Sequence, residues 1–169
     1  MRTRILLITA IIVIAMASFT NHTGLTVTSV SFKNNGLIPT KFTCEGEDIN
    51  PALQIGNIPS GAKSLALILQ DPDAPMKGGF THWVMWNMPT DGAIPENYKG
   101  AEQGMNSARK MGYYGMCPPS GTHHYLFKVY ALDTKPELPV STDKAALEMA
   151  MKGHILAEGE LTGLYKKVK

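Results

Sequence analysis

Two carboxylates lie in a short proline-containing segment, DPDAP at residues 71–75, directly after an apolar run. The two prolines restrict the backbone, so Asp71 and Asp73 are held in defined positions at the end of a strand. A carboxylate placed there can accept a hydrogen bond from an ammonium group or from a protonated phosphate oxygen. Taken alone, the segment is typical of a solvated turn, so its function depends on what lies beside it.

His82 lies on the segment Phe80–Met88, which is rich in aromatic and β-branched residues. The two-residue period of a strand places it on the same face as Phe80, Val84, Trp86 and Met88. We therefore expect its side chain to point toward apolar material. A neutral histidine bonded into the core fits this position, and a binding role requires a polar partner from another segment.

A glycine- and proline-rich bend at residues 115–122 leads into His123, His124 and Tyr125. Such a bend can leave backbone N–H groups unpaired in a concave arrangement that suits an anion. It lacks the glycine, lysine and hydroxyl order of a nucleotide-binding P-loop. His123 and His124 are neighbours on a predicted strand and point to opposite faces. At most one of them therefore lines the same pocket, and together they make a poor metal pair.

Two cysteines, Cys44 and Cys117, lie far apart in the chain. They form no C-x-x-C pair and no set with metal-ligand spacing, and one bridge at most can form. The sequence does not define whether their Cα atoms lie within bridging distance. A disulfide between them and two buried thiols therefore both stay open.

Short strand patterns alternate with glycine, proline and asparagine, which predicts an all-β sandwich or barrel. The clearest strands fall at residues 25–32, 65–69, 80–88, 125–132 and 155–161. Helical periodicity is convincing only over residues 143–152, with Thr142 or Ser141 as the N-cap and Gly153 as the end. No internal repeat or linker divides residues 25–169, so we expect one domain there.

The N-terminal segment has the pattern of an export signal. Arg2 and Arg4 precede an apolar run at residues 5–17, which ends in the small-x-small sequence Ala-Met-Ala. The run is shorter than the roughly 20 residues of a membrane-spanning helix. We therefore expect residues 1–17 to be a cleaved signal peptide, with an uncleaved anchor as the alternative, and the protein to be periplasmic or secreted.

The composition is that of one folded globular domain. The chain has 169 residues, of which 44% are hydrophobic and 18% charged, and a formal charge of +2. Loss of residues 1–17 would remove two basic and no acidic residues, which brings that charge to zero. The remaining basic residues are scattered apart from a C-terminal lysine group, so we expect no nucleic-acid partner. Later apolar runs are too short for a membrane span.

Four segments follow one another in a defined order along the chain. They are TCEG at residues 43–46 with Asn50 and Pro51, DPDAP at residues 71–75, HWV at residues 82–84 with Asn87, and GMCPP at residues 115–119 followed by Gly121, His123 and Tyr125. In their order and residue identities these segments resemble the phosphatidylethanolamine-binding protein family, including its bacterial Raf-kinase-inhibitor-like branch. The sequence departs at His124, where the family usually has arginine, and at Ala52, where it usually has proline.

The resemblance implies a mainly β fold of two packed antiparallel sheets, a Greek-key-like β-sandwich with a few short helices. It also implies a pocket for phosphate-type anions or phospholipid head groups, with no cofactor and no metal. There His82 and the loop N–H groups would donate to phosphate oxygens, while Asp71 would accept from an ammonium group or a protonated oxygen. The expected ligand-binding residues are Asp71, Asp73, Pro75, His82, Gly115, Cys117, Pro118, His123 and Tyr125.

We interpret the sequence as an exported, non-catalytic protein that binds a phosphate-bearing small molecule or lipid head group and modulates partner proteins. One alternative is an inhibitor that acts on a protease or kinase through its surface. Another is a metal-dependent phosphohydrolase with Asp71, Asp73 and His82 as ligands. The sequence disfavours the phosphohydrolase because no serine or cysteine comes with an obvious base, and no helix carries paired metal-binding histidines.

Overall fold

The computed structural model describes residues 24–168. The predicted signal peptide, residues 1–17, lies outside the described residues. Within the described range the chain forms nine strands, one 3-10 helix and one α-helix. In chain order these are β1 (Thr26–Thr28), β2 (Gly36–Leu37), the 3-10 helix (Thr40–Phe42), β3 (Leu53–Gly56), β4 (Ser64–Asp71), β5 (Phe80–Met88), β6 (Ala93–Ile94), β7 (Glu102–Gln103), β8 (Thr122–Leu132), α1 (Lys144–Met151) and β9 (Ile155–Lys166).

The strands form a six-stranded sheet and a three-stranded sheet. The large sheet has the order β2-β9-β8-β4-β5-β7, and the small sheet has the order β1-β3-β6. The antiparallel pairs β4–β5 and β8–β9 lie side by side because β8 pairs with the edge of β4 that faces away from β5. The predicted mainly β fold of two sheets is confirmed. Strands β2 and β9 run parallel, which is a local departure from the predicted antiparallel sheets.

Strand β4 is buried along its whole length. One face contributes to a core cluster shared by both sheets, through Leu65, Leu67 and Leu69. The other face contributes to a second cluster beside α1, through Ala66 and Ile68. A strand that is covered on both faces requires apolar side chains in both directions, which explains the uninterrupted apolar run in the sequence.

The bounds of β1, β8 and β9 differ from the sequence prediction. The pattern at residues 25–32 forms only the short strand β1, because the Ser29 hydroxyl donates to the Ala52 carbonyl oxygen at 2.7 Å and accepts from the Ser31 N–H at 3.1 Å. This local turn takes the chain out of the sheet. Strands β8 and β9 are longer than predicted, since they pair with each other from Thr122 to Leu132.

The helix α1 lies where the periodicity predicts it, but its N-cap differs. Asp143 caps the helix, rather than Thr142 or Ser141, because its carboxylate accepts a hydrogen bond from the Ala146 N–H at 2.9 Å. A carboxylate at this position also interacts favourably with the positive end of the helix dipole. The predicted end is confirmed by Gly153, which follows the helix with a φ of 82°.

The central position of β4 predicts a large effect of truncating its side chains. Leu67 is completely buried, so Leu67→Ala should lower the free energy of unfolding by about 2–5 kcal/mol. Leu37 is 71% exposed, and Leu37→Ala should change it by less than about 0.5 kcal/mol. Urea denaturation measures both values. Equal effects of the two substitutions would contradict this description of the core.

Candidate functional site

Asp71 is the last residue of β4, and its carboxylate is fixed by the loop that follows it. The Oδ1 atom accepts hydrogen bonds from the N–H groups of Asp73 at 2.9 Å and Ala74 at 3.1 Å. The loop leads back to β5 through Gly79, which has a φ of 73°. A Cβ atom at this position would lie only 2.3 Å from the Asp71 carbonyl oxygen, so the loop requires glycine here. The carboxylate therefore has a defined position before any ligand arrives.

The neighbouring strand β8 brings His123 to the same carboxylate. The Nδ1 atom of His123 lies 2.8 Å from Oδ2 of Asp71, and both side chains are buried. Because a carboxylate accepts, His123 donates from Nδ1, and its Nε2 atom is free for another partner. Asp71 and His123 thus form a buried hydrogen-bonded pair at the end of the large sheet.

His82 occupies a β-bulge in β5, and this changes the direction of its side chain. Leu69 pairs with Trp83 and Gln70 with Thr81, so His82 is the extra residue between the two pairs. Its ring packs against Tyr125 of the shared core cluster, with 5.3 Å between ring centroids. The predicted common face with Val84, Trp86 and Met88 is therefore wrong: Val84 and Trp86 pack beside α1.

The ring of His82 has a defined tautomer in its neutral form. Its Nδ1 atom lies 2.7 Å from the Tyr114 carbonyl oxygen, which can only accept, so Nδ1 carries the proton and donates. Burial lowers the pKa of His82, although this carbonyl and the carboxylates of Asp71 and Asp48 oppose the shift. In the neutral ring Nε2 is then a hydrogen-bond acceptor, whereas the expected donation from Nε2 to a phosphate oxygen requires a protonated ring.

The loop at residues 113–119 is tied to the segment at residues 42–48. A disulfide joins Cys44 to Cys117, with 5.5 Å between their Cα atoms, so the structure contains the disulfide rather than two thiols. The Cys44 N–H donates to the Met116 carbonyl oxygen at 3.1 Å. The Gly115 N–H, which we expected to face an anion, instead donates to Oδ1 of Asp48 at 2.5 Å.

These elements enclose a cavity of about 380 Å³. It is lined by Asp71, Ala74, Pro75, Met76, Phe80, His82, Tyr114, Cys117 and Pro119. In the described part of the chain, no lysine or arginine belongs to this lining. The cavity combines one carboxylate and one neutral imidazole with largely apolar and aromatic walls.

The predicted site residues are only partly brought together. Four of them line the cavity, namely Asp71, Pro75, His82 and Cys117. His123 is connected to the cavity through Asp71. The exposed carboxylate of Asp73 instead accepts from the backbone and ring N–H groups of His124, at 2.8 and 2.7 Å. The other predicted residues, Gly115, Pro118 and Tyr125, do not belong to the lining.

Tyr125 is buried beside the pair formed by Asp71 and His123. Its hydroxyl has no hydrogen-bond partner of good geometry among the described residues, although the Asp71 carboxylate is close enough to influence it. Burial, reinforced by Asp71 and Asp73, raises the pKa of Tyr125. The phenol therefore stays protonated and keeps a donor next to the Asp71 carboxylate.

Several lining residues were missed from the sequence. Tyr114 and Phe80 lie within 5.8 Å of each other, centroid to centroid, and both rings contact His82. Tyr114 directly precedes the predicted loop, and Phe80 is the first residue of the strand that carries His82. Their closeness in sequence to these motifs could have indicated that they line the cavity. Met76 carried none, since the loop path around Pro75 determines its position.

Residues 24–168 contain neither a metal-binding cluster nor a membrane-spanning helix. No group of three histidine, cysteine, aspartate or glutamate residues in this range is arranged to hold a metal ion. Asp73 interacts with His124 rather than facing His82, so the predicted phosphohydrolase ligands do not converge. In the same range no helix combines the length and apolar character needed to cross a membrane.

The two sheets and the cavity at the end of β4 define a β-sandwich domain of the small-ligand-binding type. Residues 28–166 match the phosphatidylethanolamine-binding protein family, and the chain belongs to this family. A UPF0098 protein of Pyrococcus horikoshii is 50% identical over 155 residues, which are 85% of this chain and 77% of that protein. A UPF0098 protein of Methanothermobacter thermautotrophicus is 45% identical over 148 residues, which are 81% and 95% of the two chains.

Solved structures show the same fold. The crystal structure of a phosphatidylethanolamine-binding protein homologue from Chlamydia trachomatis superimposes with a TM-score of 0.82 and is 39% identical, covering 85% of this chain and 98% of that chain. The crystal structure of YbcL from Escherichia coli, described as a member of the mammalian family, gives a TM-score of 0.79 at 32% identity, covering 85% and 99%. The family predicted from the sequence is confirmed.

The tie between the two loops predicts that Gly115 cannot carry a side chain. A Cβ atom there would lie 2.5 Å from Oδ1 of Asp48 and 2.8 Å from the Thr43 carbonyl carbon. Gly115→Ala should therefore lower the free energy of unfolding by about 1–3 kcal/mol. Gly61→Ala is the control, because its Cβ meets only Leu156 at 3.7 Å. Thermal melts of both variants test this, and equal melting temperatures would contradict it.

The lowered pKa of His82 predicts a pH dependence of stability. Between the folded pKa and the ordinary value of 6.5, the unfolded chain binds a proton that folded His82 does not. The free energy of unfolding should therefore fall as the pH falls below about 6.5. The His82→Asn variant lacks this titration. Its free energy of unfolding should therefore decrease less than that of the unmodified protein between about pH 7.5 and about pH 5.5. Urea denaturation at both pH values measures these decreases. Equal decreases in the two proteins would contradict the lowered pKa of His82.

Proposed function

We propose that this protein is an exported, non-catalytic binding protein whose cavity takes a small phosphate-bearing molecule, either free or as a phospholipid head group. One observation carries the proposal. Asp71 and His82 come from different strands, yet both line one cavity, and His123 fixes the Asp71 carboxylate from behind. Buried polar groups that converge in an apolar pocket are the usual arrangement of a small-molecule site.

The size of the cavity limits the ligand. Its volume of about 380 Å³ is near the lower end of the range of ligand pockets, which is roughly 300–1,000 Å³. A phosphoethanolamine group fits such a space, whereas acyl chains of a whole lipid would stay outside. We therefore propose recognition of the head group alone, with weak binding of intact lipid.

The polarity of the lining suits a ligand that carries both donors and acceptors. The Asp71 carboxylate can accept from an ammonium group or from a protonated oxygen, and the Tyr114 hydroxyl can donate to a phosphoryl oxygen. A cation also lies near the cavity, because the Lys110 ammonium is 5.3 Å from the centroid of the Tyr114 ring. A zwitterionic head group can use all three.

Two observations support the remaining parts of the proposal. Export to an oxidising compartment agrees with the disulfide between Cys44 and Cys117, because disulfides persist there and are rare in the cytosol. Binding without turnover agrees with the same bond, because Cys117 in a disulfide cannot supply a nucleophilic thiolate to the cavity.

Calorimetric titration with phosphoethanolamine, without added metal, tests the proposed site. We expect binding to the unmodified protein and a loss of affinity of at least about tenfold in Asp71→Ala and in His82→Ala, because each removes a buried polar partner. Asp133→Ala is the matched control, since Asp133 forms a similar 2.8 Å pair with His154 on the surface. Unchanged affinity in the first two variants, or no binding at millimolar ligand, would refute the proposal.

A further inference from the structure

The cavity presents two acceptors where an anion-binding site would normally present donors. The Nδ1–H of His82 is used by the Tyr114 carbonyl oxygen at 2.7 Å, which leaves the Nε2 lone pair as the remaining hydrogen-bonding group of the neutral ring. The second acceptor is the carboxylate of Asp71, which lines the same cavity. Neither group can donate to a fully deprotonated phosphoryl oxygen.

Both carboxylate oxygens of Asp71 already accept hydrogen bonds from within the protein. Its two oxygens accept from the N–H groups of Asp73 and Ala74 and from Nδ1 of His123. A carboxylate oxygen that faces N–H donors accepts and does not donate. An oxygen without a proton would therefore meet acceptor atoms on this side of the cavity.

Positive charge does not compensate for this arrangement inside the cavity. Among the described residues no lysine or arginine lines it, and the nearby Lys110 ammonium lies over the Tyr114 ring, 5.3 Å from its centroid. Burial lowers the pKa of His82, and the carboxylates of Asp71 and Asp48 and the backbones of Tyr114 and Gly115 oppose this shift. The rings of Tyr114 and Tyr125 pack against the imidazole. The carboxylates oppose the binding of an anion.

We propose that the cavity selects a phosphoryl group that retains a proton, that is, a phosphomonoester monoanion, over anions that have no O–H group. This inference rests on the proposed function and narrows its ligand class. The P–O–H group donates to Nε2 of His82, while the remaining phosphoryl oxygens accept from the Tyr114 hydroxyl. A phosphodiester, the form found inside a phospholipid, has no such proton and leaves Nε2 of His82 unpaired.

Two ligands of equal charge separate this inference from the proposed function. At about pH 5.5 phosphoethanolamine is mainly a monoanion on its phosphoryl group, because the second pKa of a phosphomonoester is about 6. O-Sulfoethanolamine carries the same ammonium group and the same charge, but its sulfate ester has no O–H. We expect phosphoethanolamine to bind at least about tenfold more tightly in calorimetric titration, since a buried acceptor is otherwise left unpaired.

A diester distinguishes the two sources of the phosphate group. Glycerophosphoethanolamine is the head group of a phospholipid without its acyl chains, and it should bind as weakly as the sulfate ester. Equal affinities of the three ligands would overturn the inference and leave the proposed function standing. Binding of none of them at millimolar concentration would overturn both.

A substitution at His82 tests the role of its free nitrogen. His82→Asn keeps a side-chain N–H near the Tyr114 carbonyl oxygen but has no group at the position of Nε2, so the preference for the monoester should decrease toward onefold. His124→Asn is the control, because His124 is exposed, pairs with Asp73 outside the cavity and should leave the preference unchanged. If His82→Asn still preferred the phosphomonoester to the same extent, the proposed role of Nε2 would be wrong.

The tautomer itself has a direct readout that does not depend on any variant folding. Nitrogen-15 NMR of the unmodified protein at neutral pH should show the His82 ring protonated on Nδ1 and unprotonated on Nε2. Addition of phosphoethanolamine should shift the Nε2 resonance, because that atom receives the new hydrogen bond. A ring protonated on Nε2 in the free protein would overturn the inference.

Discussion

The geometry of the site depends on the burial of β4 on both faces. Apolar side chains on the two faces pack into different clusters, so β4 cannot slip by one residue relative to β5 or β8 without exchanging those faces. Its last residue, Asp71, therefore has a fixed position at the end of the sheet. There His82 of β5 lines the same cavity as Asp71, and His123 of β8 is hydrogen-bonded to the Asp71 carboxylate.

Polar groups can be buried at this point because each has a partner within the protein. Asp71 accepts three hydrogen bonds, and His82 and His123 each donate one. An unpaired buried polar group would cost about 1–3 kcal/mol. The disulfide between Cys44 and Cys117 holds another part of the cavity wall. Its two cysteines are 73 residues apart, and in a chain-entropy treatment a cross-link of this span raises the free energy of the unfolded state by about 4 kcal/mol. The cavity is thus formed before a ligand arrives, which reduces the ordering that binding requires.

The sequence predicted the elements that follow from local pattern and spacing. The apolar run of β4, the bounds of β5 and the position of α1 were all readable from periodicity. Within the site, Asp71, His82 and Cys117 were found through their motifs. The direction of His82 and the partner of the Gly115 N–H were not predictable, because the first depends on register with β4 and the second on Asp48, which is distant in the chain. Tertiary pairing decides both.

The two irregularities of β5 show how one strand serves both the core and the site. Each adds one residue to β5 relative to β4, one at His82 and the other near Asn87, which has a φ of 56°. Between them the side chains alternate regularly, with Trp83 and Met85 in the shared core cluster and Val84 and Trp86 beside α1. A regular strand would have directed His82 to the face that α1 covers. The bulge breaks the alternation at one residue and turns its imidazole to the cavity, while the packing of the rest of the strand is retained.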